Sequence, residues 1–210
     1  MGASIKDIIR DSLEPRGLSG GDVFLIIKAA EILIKEDDMT IAPKLSDFTK
    51  SEIKEVLNEI RHPFSMAVWG IENAFNLGAI IRTSNAFLAD KIYAVDTDGY
   101  YPKACMGMDK YENIIAISIM DFVLMAKDRN VVGCEKRPDI KSESLYSFKH
   151  PEHPIFLFGS EKTGIPNELL EVCKFVVTIP MYGLINDLNV ALASGIVMYD
   201  WLNKNYNKGR

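Results

Sequence analysis

The sequence predicts an α/β protein, a mostly parallel β-sheet with helices on both faces, preceded by an N-terminal helical extension. Three observations predict it. Beyond Pro63, short apolar runs alternate with helical stretches, the rhythm of a parallel sheet covered on both sides. Several of those runs are nearly continuous in apolar residues, as strands buried on both faces require. Before Pro63 the texture is helical, with apolar residues recurring on one face. We therefore divide the chain into an extension, residues 1–62, and an α/β domain, residues 63–210.

Ile5, Ile8, Ile9 and Leu13 share one helical face, and Phe24, Ile27 and Ile34 continue such a face after the Gly20–Gly21 break. Lys35 to Asp47 is charged and contains Pro43, so it reads as a loop. Thr49 and Glu52 make a capping box, and Phe48 with Ile53 the matching hydrophobic staple, for a third helix whose stripe is Ile53, Val56, Leu57 and Ile60. Strands are expected at Phe64–Ile71, Lys91–Val95, Ile114–Ser118, Asn130–Cys134, Ile155–Phe158 and Phe175–Ile179. Helices are expected at Leu77–Leu88, Asp121–Asp128, Asn167–Cys173 and Leu188–Leu202. From Val190 to Leu202 the last of these is apolar or small on nearly every side, so it is expected to be buried on nearly every side, in an oligomer interface or tucked inside the fold.

The chain has 210 residues, 48% of them hydrophobic, enough for one sizeable core. No apolar run reaches the roughly 18–20 residues that span a bilayer. Lys6, Asp7, Arg10 and Asp11 interrupt the N-terminal apolar residues, which rejects a secretory signal and leaves a cytoplasmic protein as the expectation. Cys105, Cys134 and Cys173 are scattered and odd in number, the pattern of reduced, packed thiols. His150 and His153 interleave with Pro151 and Pro154 and have no neighbouring ligand cluster, so they read as surface histidines rather than metal ligands. The net charge of −5 weighs against a nucleic-acid partner unless basic residues gather locally.

Three loops follow predicted strands, where ligands of such sheets sit. In the first, Asn76 can cap a helix, Gly78 permits close backbone approach, and Arg82, about one turn on, offers a planar fork suited to phosphate or simply stands on a surface. The second, Gly159 to Pro166, is flanked by glycines and leads into a helix with Pro166 at its first position. It lacks the phosphate-binding and dinucleotide glycine patterns, so it is either a ligand loop or an ordinary strand–helix turn. The third, Ile179 to Asn189, carries Asn186, Asp187 and Asn189 beside an apolar helix, where they either serve a ligand or cap the helix.

Together the loops resemble the SpoU/TrmH family of SPOUT RNA methyltransferases. The matching residues are Asn76-x-Gly78-x-x-x-Arg82, then Gly159-x-Glu161-x-x-Gly164, then Ile179-Pro180-Met181-x-Gly183 with Leu188-Asn189-Val190. The resemblance covers roughly residues 64–202 and leaves the N-terminal helices outside. It implies a C-terminal trefoil knot, a homodimer, and methylation of a ribose 2′-hydroxyl in tRNA or rRNA, with no metal and no membrane. It implies S-adenosylmethionine as cofactor, held by Gly159, Ile179 and Leu188, with Met181 beside it. Arg82 would act on the 2′-hydroxyl and, with Asn76, contact the RNA, while Glu161 and Asn189 hold substrate or arginine. Because an arginine ordinarily stays protonated, it would bind phosphate and stabilise the developing alkoxide, or shed a proton in a strongly perturbed site, and alignment of the oxygen with the methyl group would supply much of the rate.

Two positions depart from the family, which usually has serine where Asp187 stands, beside the proposed site, and serine again at Ala191. The Asp187 carboxylate would pair with Arg82 and reposition it, accept a proton, or repel RNA phosphate. Two other readings stay open: a catalytically silent RNA-binding or assembly protein on the same fold, and a Rossmann-like enzyme acting on a small nucleotide.

Overall fold

The computed structural model describes residues 49–205, apart from 98, 185 and 186 and the side chains of 52 and 56. The two helices and the acidic loop expected before Phe48 lie outside the described residues. The chain divides after Ile60 into two units. In the first, helix α1 (Lys50–Ile60) begins directly after Thr49, where the capping box places it. The staple residue Phe48 and the Glu52 side chain fall outside the description.

The second unit contains strands β1 (Ser65–Trp69), β2 (Ile92–Val95), β3 (Ile114–Ile117), β4 (Asn130–Cys134), β5 (Glu143–Ser144), β6 (Pro154–Phe158) and β7 (Phe175–Thr178). Its helices are α2 (Ala74–Ala86), α3 (Ile119–Ala126), α4 (Asn167–Leu170) and α5 (Val190–Asn205). The strands form one sheet in the order β3-β2-β1-β6-β4-β7-β5, and every pairing is parallel. Met66 of β1 lies between Ile92 of β2 and Phe156 of β6, so the most apolar runs occupy the middle.

Successive side chains of a strand face opposite ways, and two cores result. On one face Met66, Val68, Phe156 and Phe158 pack against Leu77, Ile80 and Ile81 of α2 and Val197, Met198 and Trp201 of α5. On the other, Ala67, Val95, Val131 and Leu157 pack against Phe122 of α3 and Leu169 of α4. Helices on both faces of a parallel sheet are what the apolar runs required.

Four details differ from expectation. Helix α2 starts earlier, because Asn73 rather than Asn76 caps it, its side chain accepting from the Phe75 N–H at 3.0 Å. Pro166 stands at the cap of α4, extended at ψ 156°, one place before the first helical position. Helix α5 is not buried on nearly every side, since Leu192 is 56% and Tyr199 60% exposed. His150 is no surface histidine: its side chain is fully enclosed and its Nε2 donates to Asp200 at 2.7 Å. His153 is exposed, as expected.

Candidate functional site

The site lies beyond the carboxyl ends of β4, β6 and β7. Gly159 ends β6 against the turn that follows it, and a Cβ there would meet Gly164 backbone carbon at 2.1 Å. Gly164 has φ +68°, and its Cβ would meet the Glu135 carboxylate at 2.4 Å. Neither position accepts a side chain without moving backbone or carboxylate. The Ser160 hydroxyl and carbonyl close the turn, taking the Thr163 N–H at 3.2 Å and the Gly164 N–H at 2.9 Å. Glu135, just past β4, clamps it by accepting from the N–H of Ile165 at 2.7 Å and of Lys136 at 2.9 Å.

This turn and the loop after β7 enclose a cavity of about 210 Å³. Its wall includes Gly159, Ile179, Met181 and Leu188, the four residues the resemblance assigns to a cofactor, together with Glu161 and Asp187. Phe158, Val190 and Ala193 make much of the remainder apolar. Glu135, Lys136, Cys134 and Thr178 also line it and were not anticipated. The signal for them was positional: Glu135 follows β4 as Gly159 follows β6, and strand carboxyl ends are where parallel sheets bind ligands.

Beside the cavity three polar side chains form a chain. Asn189 caps α5, its Oδ1 accepting from the N–H groups of Ala191 at 3.0 Å and Leu192 at 3.3 Å. Its Nδ2 donates to Asn76 Oδ1 at 3.1 Å, and Asn76 Nδ2 donates to Glu161 Oε1. The direction is fixed at both ends, because backbone N–H groups only donate and a carboxylate only accepts. Asn76 is thus not a helix cap but a buried bridge inside α2, 7% exposed, joining all three loops. Gly78 does provide close approach: a Cβ there would lie 2.6 Å from Ala104 Cβ, so α2 rests on the turn at Pro102–Cys105.

Arg82 stands apart from this network. It is exposed, and helical spacing puts it on the same side of α2 as Phe75 and Ala79, well away from Asn76. Among the described residues neither the Arg82 nor the Asp187 side chain has a hydrogen-bond partner. Glu161 and Asn189 each hold Asn76.

The thiols are not reactive groups. Burial pushes Cys105 up to about 11 and Cys173 up to about 12. Burial, then the neighbouring Cys173 and Glu135, also raise Cys134 well above the usual thiol range. All three remain protonated at neutral pH and are poor nucleophiles. Among the described residues no group of three or more His, Cys, Asp or Glu could hold a metal ion, and no helix is long and apolar enough to cross a membrane.

Comparison with known proteins matches residues 63–199 to the sequence model described as the SpoU rRNA Methylase family. The tRNA (guanosine(18)-2′-O)-methyltransferase of Aquifex aeolicus is 23% identical over 75% of this chain and 77% of its own. The 23S rRNA (guanosine-2′-O-)-methyltransferase of Bordetella pertussis is 28% identical over 70% of this chain and 63% of its own. The AdoMet-bound rRNA methyltransferase of Sinorhizobium meliloti superposes with a TM-score of 0.61 at 26% identity, covering 70% of this chain and 59% of that one.

Proposed function

Because the chain belongs to the SpoU rRNA methylase family, we propose that it methylates a ribose 2′-hydroxyl of tRNA or rRNA using S-adenosylmethionine. One observation carries the reading: a cavity at the strand ends gathers Gly159, Ile179, Met181 and Leu188, with the Asn189–Asn76–Glu161 chain at its side. The cavity fits that cofactor. Ile179, Met181, Leu188 and Phe158 offer apolar surface to an adenosine, Gly159 brings bare backbone to the wall, and the Glu161 and Asp187 carboxylates suit a ligand carrying positive charge. When bound, the cofactor supplies an electrophilic methyl group on a sulfonium.

The residues' own work is positioning and charge. Asn76 fixes the Glu161 carboxylate, and Asn189 fixes Asn76 while holding the first turn of α5, so a shift in one loop is transmitted to the others. Held this way, Glu161 orients the 2′-hydroxyl, and Asp187 takes up its proton. Arg82 grips the adjoining phosphate as a planar fork of donors. Exclusion of water by the apolar wall strengthens each of these interactions.

The C-terminal trefoil knot, the homodimer and cytoplasmic residence belong to the same proposal, as does the division into an extension, 1–62, and a methyltransferase domain, 63–210. Lys204, donating to the carbonyls of Leu145 and Phe148, and the His150–Asp200 bond fasten the end of α5 to the segment before β6, which supports a threaded C-terminus. The exposed Leu192 and Tyr199 of α5, with Phe75 of α2, support a self-complementary apolar face. Arg82 shares Phe75's side of α2, so dimerisation would bring it to the interface.

Calorimetry with S-adenosylmethionine, followed by single-turnover assays on cellular RNA with wild type and Asp187→Ser, tests the reading. Wild type is expected to bind the cofactor and transfer methyl. Cofactor binding with transfer only in the serine variant would instead identify wild type as a silent binder. Failure to bind the cofactor would remove the reading altogether.

A further inference from the structure

Three carboxylates stand on the wall of the cavity beyond β4, β6 and β7: Glu161, Asp187 and Glu135. Methyl transfer uses the first two and leaves Glu135 without a part. Glu135 is also the most firmly held of the three. Its N–H donates to Val177 O at 3.0 Å, so its backbone still belongs to the ladder between β4 and β7. Its Oε2 accepts from the Ile165 N–H at 2.7 Å and its Oε1 from the Lys136 N–H at 2.9 Å. One N–H on each oxygen fixes the plane of the group and leaves each oxygen a second acceptor position. Among the described residues no side chain donates to those positions. Arg137, two places on, turns instead to Asp139 Oδ2 and Asn167 Oδ1, each at 3.1 Å, and to the Ile165 carbonyl at 3.4 Å. Gly164 stays bare beside the carboxylate, since a Cβ there would collide with Oε2.

We propose that Glu135 accepts hydrogen bonds from the 2′- and 3′-hydroxyls of the cofactor's own ribose and so selects a ribonucleoside cofactor, an inference that rests on the methyl-transfer reading. Holding the turn at Ile165 needs one acceptor. A carboxylate that keeps a further acceptor on each of two fixed oxygens suits a ligand with two donors side by side. S-adenosylmethionine offers donors at the adenine amine, the α-ammonium and the ribose. Only the ribose sets two separate donors on neighbouring carbons, one for each oxygen of a single carboxylate. The strand order points to the same part of the molecule. β4 lies between β6, which leads to Glu161, and β7, which leads to Ile179 and Met181. Glu135 therefore ends the middle strand of the site, with the reacting carboxylate on one side and the apolar surface for adenine on the other. Ribose is likewise the middle of the cofactor, joining adenine to the sulfonium. In dinucleotide-binding sheets an acidic residue holds a ribose hydroxyl in the same manner.

The test is calorimetry with S-adenosylhomocysteine and with its 2′,3′-dideoxyribose analogue, in wild type, Glu135→Gln and Glu135→Asp. Wild type should bind S-adenosylhomocysteine at least ~10-fold more tightly than the dideoxy analogue, the size of one hydrogen bond to a charged group. Glu135→Gln should bring the two ligands within ~3-fold of one another, because the amide turns one acceptor into a donor and removes the charge. Glu135→Asp keeps the charge but withdraws it from the ribose, and it too should lose the preference. A residue that only clamps Ile165 would behave otherwise: its loss would weaken both ligands alike and leave their ratio unchanged. Equal affinity of wild type for the two ligands, or a ratio that survives in Glu135→Gln and Glu135→Asp, would overturn the proposal. Wild type that binds neither ligand would instead overturn the methyl-transfer reading.

Discussion

The two ends of the sheet carry polar networks of similar make-up and opposite character. At the amino ends Arg61 bonds Glu112 at 2.8 Å, with side chains only 2% and 0% exposed. Arg61 also donates to the carbonyls of Ala89 and Tyr111, and Asn85 supplies the other Glu112 oxygen at 2.7 Å. At the carboxyl ends Asn189, Asn76 and Glu161 are joined just as directly, yet Glu161 and Asn189 stay exposed and a cavity opens beside them. In the first network the buried groups are tied to each other and to backbone, so it fixes how the strands begin. In the second, one side of the carboxylate faces open space, so it is available to a ligand. Residue types alone do not separate the two; solvent and shape do.

That contrast breaks in a predictable order. Glu112→Ala leaves Arg61 charged and enclosed, so unfolding in urea should show a loss of about 3–5 kcal/mol. Folded Glu112→Ala should still bind S-adenosylmethionine as wild type does, and weakened binding would mean the ends are coupled. Gly159→Ala should do the reverse. Its Cβ cannot fit against Gly164, so calorimetry should read at least ~100-fold weaker cofactor binding, equivalent to about 2.7 kcal/mol.

The amino end also predicts a pH dependence. Burial holds His150 below the usual 6.5, against the upward pull of the Asp200 hydrogen bond and charge and with help from Lys204. Below about pH 6.5 the unfolded chain takes up a proton that the folded chain resists, so stability falls on acidification. His62, also lowered by burial, acts in the same direction. The drop in Tm between pH 7 and 5.5 should therefore be smaller in His150→Gln than in wild type; equal slopes would exclude His150 as a source. The smallest effect belongs to Glu72 and Lys162, whose side chains are 65% and 72% exposed. Glu72→Ala should change stability by less than ~1 kcal/mol, and by still less in high salt.

Six of the seven strands were legible because a strand buried on both faces has to be apolar. β5 was not, since Glu143–Ser144 is two polar residues held only by pairing with β7. The loops were legible as loops, and their glycines as close approaches, but not how their side chains meet. Asn73 and Asn76 are equally good caps by local chemistry. Tertiary packing decides between them, taking Asn76 into contact with two segments more than 80 residues away. The same reason hid Glu135, an unremarkable carboxylate in the sequence that the fold turns onto the Ile165 N–H. Helix α5 misled in the other direction: its composition is apolar on nearly every side, yet Leu192 and Tyr199 stay exposed.

We assign methyl transfer to RNA to the open network at the carboxyl ends. The most direct measurement supplies S-adenosylmethionine carrying a tritiated methyl group, together with total RNA from cells lacking this protein, and then identifies the labelled nucleoside after complete digestion. Label is expected in a single 2′-O-methylated nucleoside, and it should be lost in Glu161→Ala. Cofactor binding without label in RNA, or label on a base rather than a ribose, would contradict it.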